Sequence, residues 1–385
     1  MLVFSGVEGG KMEITIKEVK TKKDLHDFVH LPARIHEGHP NWVPPIYMDE
    51  INFFNPAKNL SFKSCDHIRL LAVRNGYPVG RIMGLVSHKY NRIKNENNAR
   101  FSYLETFNEP DVAHALLSYV EEWARKLGKE KLVGPLGFSD KEPQGLLVDG
   151  FDQPIVLAAN CNYPYQVDLV KSAGYQGEIN LVSYIADIPE STPPVYQRVL
   201  PRLEKLNEEF RIVEFKSLIK LRKYIRPVLA LTNRAFRQIY GSLPYEEREM
   251  DDFANRFILF LDPHFVKVVE NQKGEVIAYI VAMPDISVGL QKCKGHLLPF
   301  GLLQVLRSGR KSERIINLLG AIDEPYRGRG LDVILALKMF ESARKRGKKK
   351  MDSHLVLEEN HNMRSEYERI GGRIYKRYQI FSKVL

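Results

Sequence analysis

Cysteine is scarce in this sequence: Cys65, Cys161 and Cys293 are the only three among 385 residues. Their spacing offers neither a disulfide framework nor a zinc site. Unpaired thiols suit a reducing cytoplasm, packed as small residues of a core. The 11 histidines are scattered, so no metal is expected. No apolar run reaches the length that crosses a bilayer. Residues 1–10 lack a charged start and read poorly as a signal peptide. What is present is ordinary for a soluble globular chain, with 44% apolar and 27% charged residues. The length exceeds one small core and predicts two domains. A net charge of +10 favours anionic ligands such as CoA, nucleotides, nucleic acid or acidic lipid, without choosing among them.

Along the chain, residues 13–19 alternate as a strand and 22–30 as a helix. The segment 32–62 is rich in proline and aromatics and cannot be a long helix. It reads as a functional lid or as a packed wrap between elements. Strands at 68–73 and 79–87 flank Asn75-Gly76 as a hairpin. A strand at 99–107 follows, then a helix opening at Pro110 and ending at Gly128. Its apolar stripe is Val112, Leu116, Tyr119, Val120, Trp123 and Leu127. Strand 131–138, helix 165–173 and strand 180–186 complete the set.

The order then repeats. Residues 211–215 open the second copy, 218–240 and 246–261 follow as helix, and a hairpin turns about Lys273-Gly274. The linker 189–209 carries Pro193-Pro194 and a helical stretch at 199–206, which divides the chain into 12–188 and 210–385. Two segments stand apart. Residues 145–165 hold Asp, Asn and Tyr that suit either an acceptor pocket or plain turns. An apolar insert at 288–310 suits a helix covering the donor tunnel, or packing between domains.

One stretch organises the second copy. Residues 314–320 form a buried strand, and a helix follows with Val333, Ala336, Leu337, Phe340 and Ala343 on one face. Between them lies Arg327-Gly328-Arg329-Gly330-Leu331. A glycine turn that opens a helix leaves backbone N–H groups free at the positive end of the dipole, a site for phosphate or pyrophosphate. The dinucleotide and Walker A fingerprints do not fit: the third glycine and the Gly-Lys-Ser/Thr are missing. The corresponding turn of the first copy, Asn108-Glu109-Pro110-Asp111, is acidic and lacks glycine. Beyond, residues 351–357 read as a strand, Asn360 as the cap of a helix ended by Gly371, and 373–383 as a closing hairpin.

Arg-Gly-x-Gly, a helix, a strand, then Asn360-x-x-Met363-x-x-x-Tyr367-x-x-x-Gly371 resembles the GNAT superfamily of acyl-CoA transferases. The resemblance covers most of the chain as two tandem modules, the first degenerate. It implies an α/β (α+β) fold in which each module is a mixed twisted sheet flanked by helices. It assigns Ile322, Arg327, Gly328, Arg329, Gly330, Leu331 and Asn360 to the donor site, with acetyl-CoA or another acyl-CoA as the donor. Tyr367 stands as general acid for the leaving thiolate. Glu324 is the candidate base, with Asp323 and Glu358 as alternatives, and an N–H near Ile322 faces the developing oxyanion.

The implied activity is acyl-CoA-dependent N-acyl transfer, of N-acetyltransferase type, to an unidentified small amine or peptide. Two departures weigh against the donor. Asp332 replaces the usual Gly or Ala, and Met363 replaces a small residue. Tandem modules of this kind also resemble aminoacyl-tRNA-dependent aminoacyltransferases and N-myristoyltransferases. Lys348, Lys349 and Lys350 suit the tRNA reading, although a nucleic-acid partner is the less favoured one. A non-catalytic ligand-binding protein on the same scaffold is the third alternative. Oligomeric state is left open.

Overall fold

The computed structural model describes residues 13–385 apart from 157–158, 198–199, 202–208 and 252–257. The domain start at Met12, most of the helix expected at 199–206 and the middle of the one expected at 246–261 therefore lie outside the described residues. Fourteen described strands join in one sheet, seven from each half. The first half supplies β1 (Thr15–Glu18), β2 (Cys65–Arg74), β3 (Tyr77–Ser87), β4 (Asn98–Thr106), β5 (Lys131–Gly134), β6 (Leu146–Asp149) and β7 (Gln176–Asp187). The second supplies β8 (Arg211–Glu214), β9 (Val266–Glu270), β10 (Val276–Pro284), β11 (Arg314–Ile322), β12 (Lys350–Asp352), β13 (Val356–Leu357) and β14 (Arg373–Val384).

The order across the sheet is β1-β2-β3-β4-β5-β14-β7-β12-β11-β10-β9-β8. The two last strands are exchanged. β14, from the second half, lies against β5 of the first, and β7, from the first half, lies against β12 of the second. β7 and β14 pair with each other over Arg373–Ser382 and Gln176–Ile185, so a pseudo-twofold relates the halves about this central pair. The short strands follow the exchange: β6 pairs β14 and β13 pairs β7.

Local sequence explains most elements. Asn75 and Gly76 adopt φ of 55° and 79°, the left-handed turn that closes the β2–β3 hairpin. The helix Pro110–Lys126 starts on Pro and buries Val112, Leu116, Leu117, Val120 and Ala124 against the first half of the sheet. The helix Leu331–Lys345 buries Leu331, Ile334, Leu335, Met339 and Ala343 on the second. Each Val, Leu, Ile or Met among them contributes about 1.5–3 kcal/mol by leaving water, and each Ala less.

Four boundaries differ from expectation. The first helix runs on through Pro32 to Ile35, because a proline near a helix end forfeits a single donor and His36 still reaches Pro32 O. The strand at 131–138 stops at Gly134, before Pro135, which has no N–H for a ladder. Residues 351–357 are two strands, β12 and β13, broken at Ser353–Leu355, where His354 takes a φ of 56°. Residues 373–383 are a single strand and not a hairpin, since nothing between them supplies a turn.

Candidate active site

β11 and β12 run parallel only from Arg314/Lys350 to Ile316/Asp352, and then part. β11 continues to Ile322 along β10, and its other edge has no strand partner among the described residues from Asn317 onward. A bulge at Leu318, opposite the Val281/Ala282 step, sits next to the parting point. Bulges of this kind turn backbone groups out of the ladder, and they recur beside active sites.

Three polar side chains collect where the strands part. Tyr367, on the helix His361–Arg369, is buried, and Asn317 Nδ2 donates to its hydroxyl at 2.7 Å. Burial raises the Tyr367 phenol well above the usual tyrosine range, opposed by the Asn317 hydrogen bond and reinforced by the nearby Asp352 charge. The buried Oδ1 of Asn317 has no partner. Asp352, fully buried, accepts from the His354 N–H at 2.8 Å and from the Tyr375 hydroxyl.

The exchanged strand β7 completes the site. Its Tyr184 ring stacks on Tyr367 at 5.7 Å between centroids. Tyr184 donates its hydroxyl to Glu368 and accepts from Arg364, which ties the helix to β7. Ser353 Oγ accepts the Tyr184 N–H, which fixes the break after β12.

At the far end of β11, Gly328 and Gly330 adopt φ of 72° and 86°, and a Cβ on Gly328 would meet nothing within 4 Å. The helix Leu331–Lys345 starts at Gly330 with no side-chain cap among the described residues, which leaves its first N–H groups to be met by another partner. Arg327 is exposed, donates to Ile322 O at 3.3 Å and forms no ion pair among the described residues. Arg329 approaches Glu209 at 3.8 Å and lies over the Tyr326 ring. Among the described residues Asp332 forms no ion pair with Arg327 or Arg329, and its charge acts on Glu366 and Tyr196. Asn360 Oδ1 caps the helix by accepting the Met363 N–H.

The same positions of the first half are apolar. By strand register Phe101 stands for Asn317 and Val133 for Asp352, and by helix caps Val170 stands for Tyr367. Two side chains occupy the free edge of β4: Gln166 donates to Leu104 O and Tyr165 to Thr106 O. At the helix start, Arg74 holds Glu109 and Asp111, so the protein's own carboxylates sit where an anion would bind. The first half therefore lacks both the polar group and the opening.

Several solved structures match nearly the whole chain. One is a tandem GNAT protein from the clavulanic acid biosynthesis pathway, at TM-score 0.58 and 14% identity, covering 97% of this chain and 98% of that one. The chain has the GNAT fold, twice over. The second match is a GCN5-related glucosamine N-acetyltransferase region of a fungal multi-domain β-N-acetylglucosaminidase. It has TM-score 0.56 and 15% identity, and covers 97% of this chain and 38% of that one. Among curated proteins, "Bacterial ceramide synthase" of Caulobacter vibrioides (strain NA1000 / CB15N) is 28% identical over 381 residues, 97% of this chain and 98% of that protein. "Protein YghO" of Escherichia coli (strain K12) is 25% identical over 380 residues, 96% and 95% of the two chains. No family model matches the chain.

Within this tandem GNAT fold the candidate bases separate. Glu324 is exposed in a short turn beyond Ile322, roughly 15–20 Å along the strand from Asn317 at ~3.3 Å per residue. Asp323 is held by Arg234 at 2.7 Å, and Glu358 by Arg377 at 2.6 Å. None of the three meets Tyr367. Sequence reasoning missed Asn317 and Asp352. The signal for the first was present, a lone amide within an otherwise apolar strand.

A cavity of about 590 Å³ lies in the first half, with Tyr245, Glu249 and Phe260 of the second half on its wall. The 32–62 segment walls it, so that segment is more than a wrap, and Leu146, Ile155, Asn160 and Cys161 line it from the 145–165 stretch. Asn160 and Asn162 are spent on turns there, bonding Gly145 O and the Leu147 backbone. Ile46, Val156 and Phe260 of its lining pack with Ile316, the residue at which β11 and β12 part.

Glu142 also lines the cavity, with Oε2 accepting the Ser139 N–H at 2.7 Å. Burial raises its carboxyl to about 7. In the unfolded chain it ionises near its ordinary value, so the folded form binds more protons between about pH 4.5 and 7. Stability contributed by the neutral acid is therefore lost as pH rises through that window. Glu142→Gln should remove up to about 3 kcal/mol of this decline and raise stability at pH 8. Denaturant midpoints at pH 5 and pH 8 check this, and an unchanged difference would reject it.

The basic run at 344–350 offers little free charge. Arg344 bonds Pro189 O, Lys345 pairs Glu341, and Lys349 pairs Glu313. Lys348 is buried and donates to the carbonyls of Gly309, Arg310 and Ser312. It caps the helix Gly301–Lys311 rather than presenting a nucleic-acid face. Among the described residues no helix is long and apolar enough to cross a membrane, and no group of acids, histidines or cysteines has the arrangement of a metal site.

Proposed function

We propose that this protein transfers an acyl group from a CoA thioester to an amine, with chemistry confined to the second module. The observation that carries the reading is the parting of β11 and β12 beside a buried tyrosine hydroxyl, absent from the equivalent place in the first module. Supporting it, the glycine loop leaves an open helix start flanked by Arg327 and Arg329, fit for a diphosphate. The unpaired edge of β11 supplies backbone groups for an extended pantetheine, and the orphaned Asn317 Oδ1 awaits an N–H donor.

In this reading Tyr367 gives its proton to the departing sulfur as the carbonyl–sulfur bond breaks and the carbonyl–nitrogen bond forms. A high phenol pKa keeps that proton in place until the thiolate appears. The oxyanion donor is a backbone N–H at the Leu318 bulge, next to the parting point, rather than one near Ile322. Glu324 lies too far along the strand to serve as base. We assign proton removal from the amine to Asp352, reached through water. The name of the Caulobacter relative denotes amide formation, and we extend that class to this chain: an acyl-CoA donor and an amine acceptor seated in the cavity of the first half.

Acyl-CoA at a hundredfold excess over its Kd should stabilise the protein by about 2.7 kcal/mol, a shift of a few degrees in Tm. Arg327→Glu should abolish that shift without lowering the Tm of the free protein, since the side chain is exposed and unpaired. Differential scanning fluorimetry decides this, and an undiminished shift would remove the loop from the donor site.

A further inference from the structure

The connection between β10 and β11 is a helical hairpin, Ser287–Lys292 and Gly301–Lys311, with an apolar tip. Its counterpart between β3 and β4 is a single short helix, His88–Lys94, whose lysines bond the second half at Glu246, Arg237 O and Ile239 O. The pseudo-symmetry requires a contact here, and the hairpin makes it. Tyr47 N–H reaches Gly295 O, Gln291 reaches Pro40 O and Trp42 O, and Leu290 and Val305 pack on Ile46. The two helices cross closely at Gly289, where a Cβ would lie 2.6 Å from Val305 Cα. The base is therefore fixed from several sides.

The tip is left over from that packing. Leu298, Phe300 and Leu303 are 76%, 68% and 51% exposed. Residues 287–312 carry Lys292, Lys294, Arg307, Arg310 and Lys311 and no acidic residue at all. All five cations are exposed. Lys292 and Lys294 lie next to the tip in sequence, and Arg307, Arg310 and Lys311 follow along the helix that leads away from it.

We propose that this hairpin docks the protein on an anionic phospholipid bilayer, with the tip set into the interface and the cations among the headgroups. Apolar side chains flanked by Lys and Arg, on an element held rigid from beneath, have the chemistry of an interfacial anchor. A contiguous exposed apolar patch rimmed by charge marks an interaction surface. Self-association of this face would set two such groups of cations against each other. The same segment that supports the hairpin, residues 42–46, walls the cavity, so a docked tip holds that cavity beside the membrane. Docking does not depend on acyl transfer.

Sedimentation of the full chain with phosphatidylcholine vesicles, with and without phosphatidylglycerol, tests this. Binding to the mixed vesicles should exceed binding to neutral ones by about tenfold or more, and should weaken with salt. Leu298→Asp/Phe300→Asp and Arg307→Glu/Arg310→Glu should each abolish it, while Ile219→Asp, at a site 80% exposed on another helix, should not. Equal binding to both vesicle types, or unaltered binding by the tip variants, overturns the proposal. So does full release by soluble glycerol phosphate, which would leave a headgroup site alone, or a dimer on gel filtration that the tip variants split. Measuring CoA-induced stabilisation of the unsubstituted protein separates the two readings, because stabilisation by CoA without any vesicle binding condemns the docking surface alone, whereas in the tip variants CoA stabilisation should persist while vesicle binding is lost.

Discussion

Phe381→Ala should cost about 3–5 kcal/mol and loosen both halves at once. Phe381 stands five residues from the end of the chain, yet it is fully buried in the core of the first half with Phe101, Leu132 and Tyr175. On β14 it faces Gly134 of β5 on one side and Gly177 of β7 on the other. No larger neighbour in the ladder can swing in to refill the space. A loss of this size is a large part of the 5–15 kcal/mol that typically holds a domain folded.

Removal of residues 373–385 should go further. It strips β5 and β6 of a partner and leaves β7 with one open edge, so the sheet divides into β1–β5 and β7-β12-β11-β10-β9-β8, each with a buried strand edge laid bare. The expected result is loss of the cooperative thermal transition by circular dichroism, with rapid proteolysis throughout. A protease-resistant fragment from the first half of the truncated chain would show that the exchange is dispensable.

Tyr367→Phe should lower kcat by about 10²–10⁴-fold while leaving acyl-CoA-induced stabilisation in place. The hydroxyl is the group at stake, since the ring keeps its place against Tyr184. Phenylalanine removes one hydrogen bond, to Asn317, at a structural cost of about 1 kcal/mol. A merely structural tyrosine would thus show a small Tm change and near-normal turnover. The measurement is thiol release from acyl-CoA across a panel of polar and long-chain amines, with the KM for the donor followed separately. Because the phenol stays protonated well above neutral pH, no basic limb from Tyr367 should appear below about pH 10. Asp352→Asn, measured beside it, should lower kcat by about 10²–10⁴-fold if that carboxylate takes the amine proton. Equal turnover in wild type and Tyr367→Phe would take the tyrosine out of the reaction.

Local signals in the chain were strong wherever a backbone conformation has few residue solutions. Asn75-Gly76 predicts its hairpin, because both turn positions need positive φ. Gly328 and Gly330 predict the open helix start for the same reason. The repeated order of elements follows from periodicity, which a chain carries whether or not it is folded. The break at His354 was only faintly legible: Asp352-Ser353-His354 are poor strand formers between apolar flanks, and the Tyr184–Ser353 contact from β7 shows where the strand must stop. Glu324 illustrates the converse. Its distance along the chain from the glycine loop is short, but an extended strand converts a few residues into a separation no proton transfer spans.

The sequence by itself determined the two sets of elements, the loss of glycine at Glu109–Asp111, and the open turn at Arg327–Leu331, because these depend on backbone preference and on which residues repeat along one segment. Only the tertiary structure decided that β7 and β14 change places, that Tyr184 of one half buttresses Tyr367 of the other, and that the 288–310 insert leaves its tip in solvent. Strand partners are chosen by packing between distant segments. An apolar alternation fits any neighbour in the sheet, and its own half is no better a fit than the other.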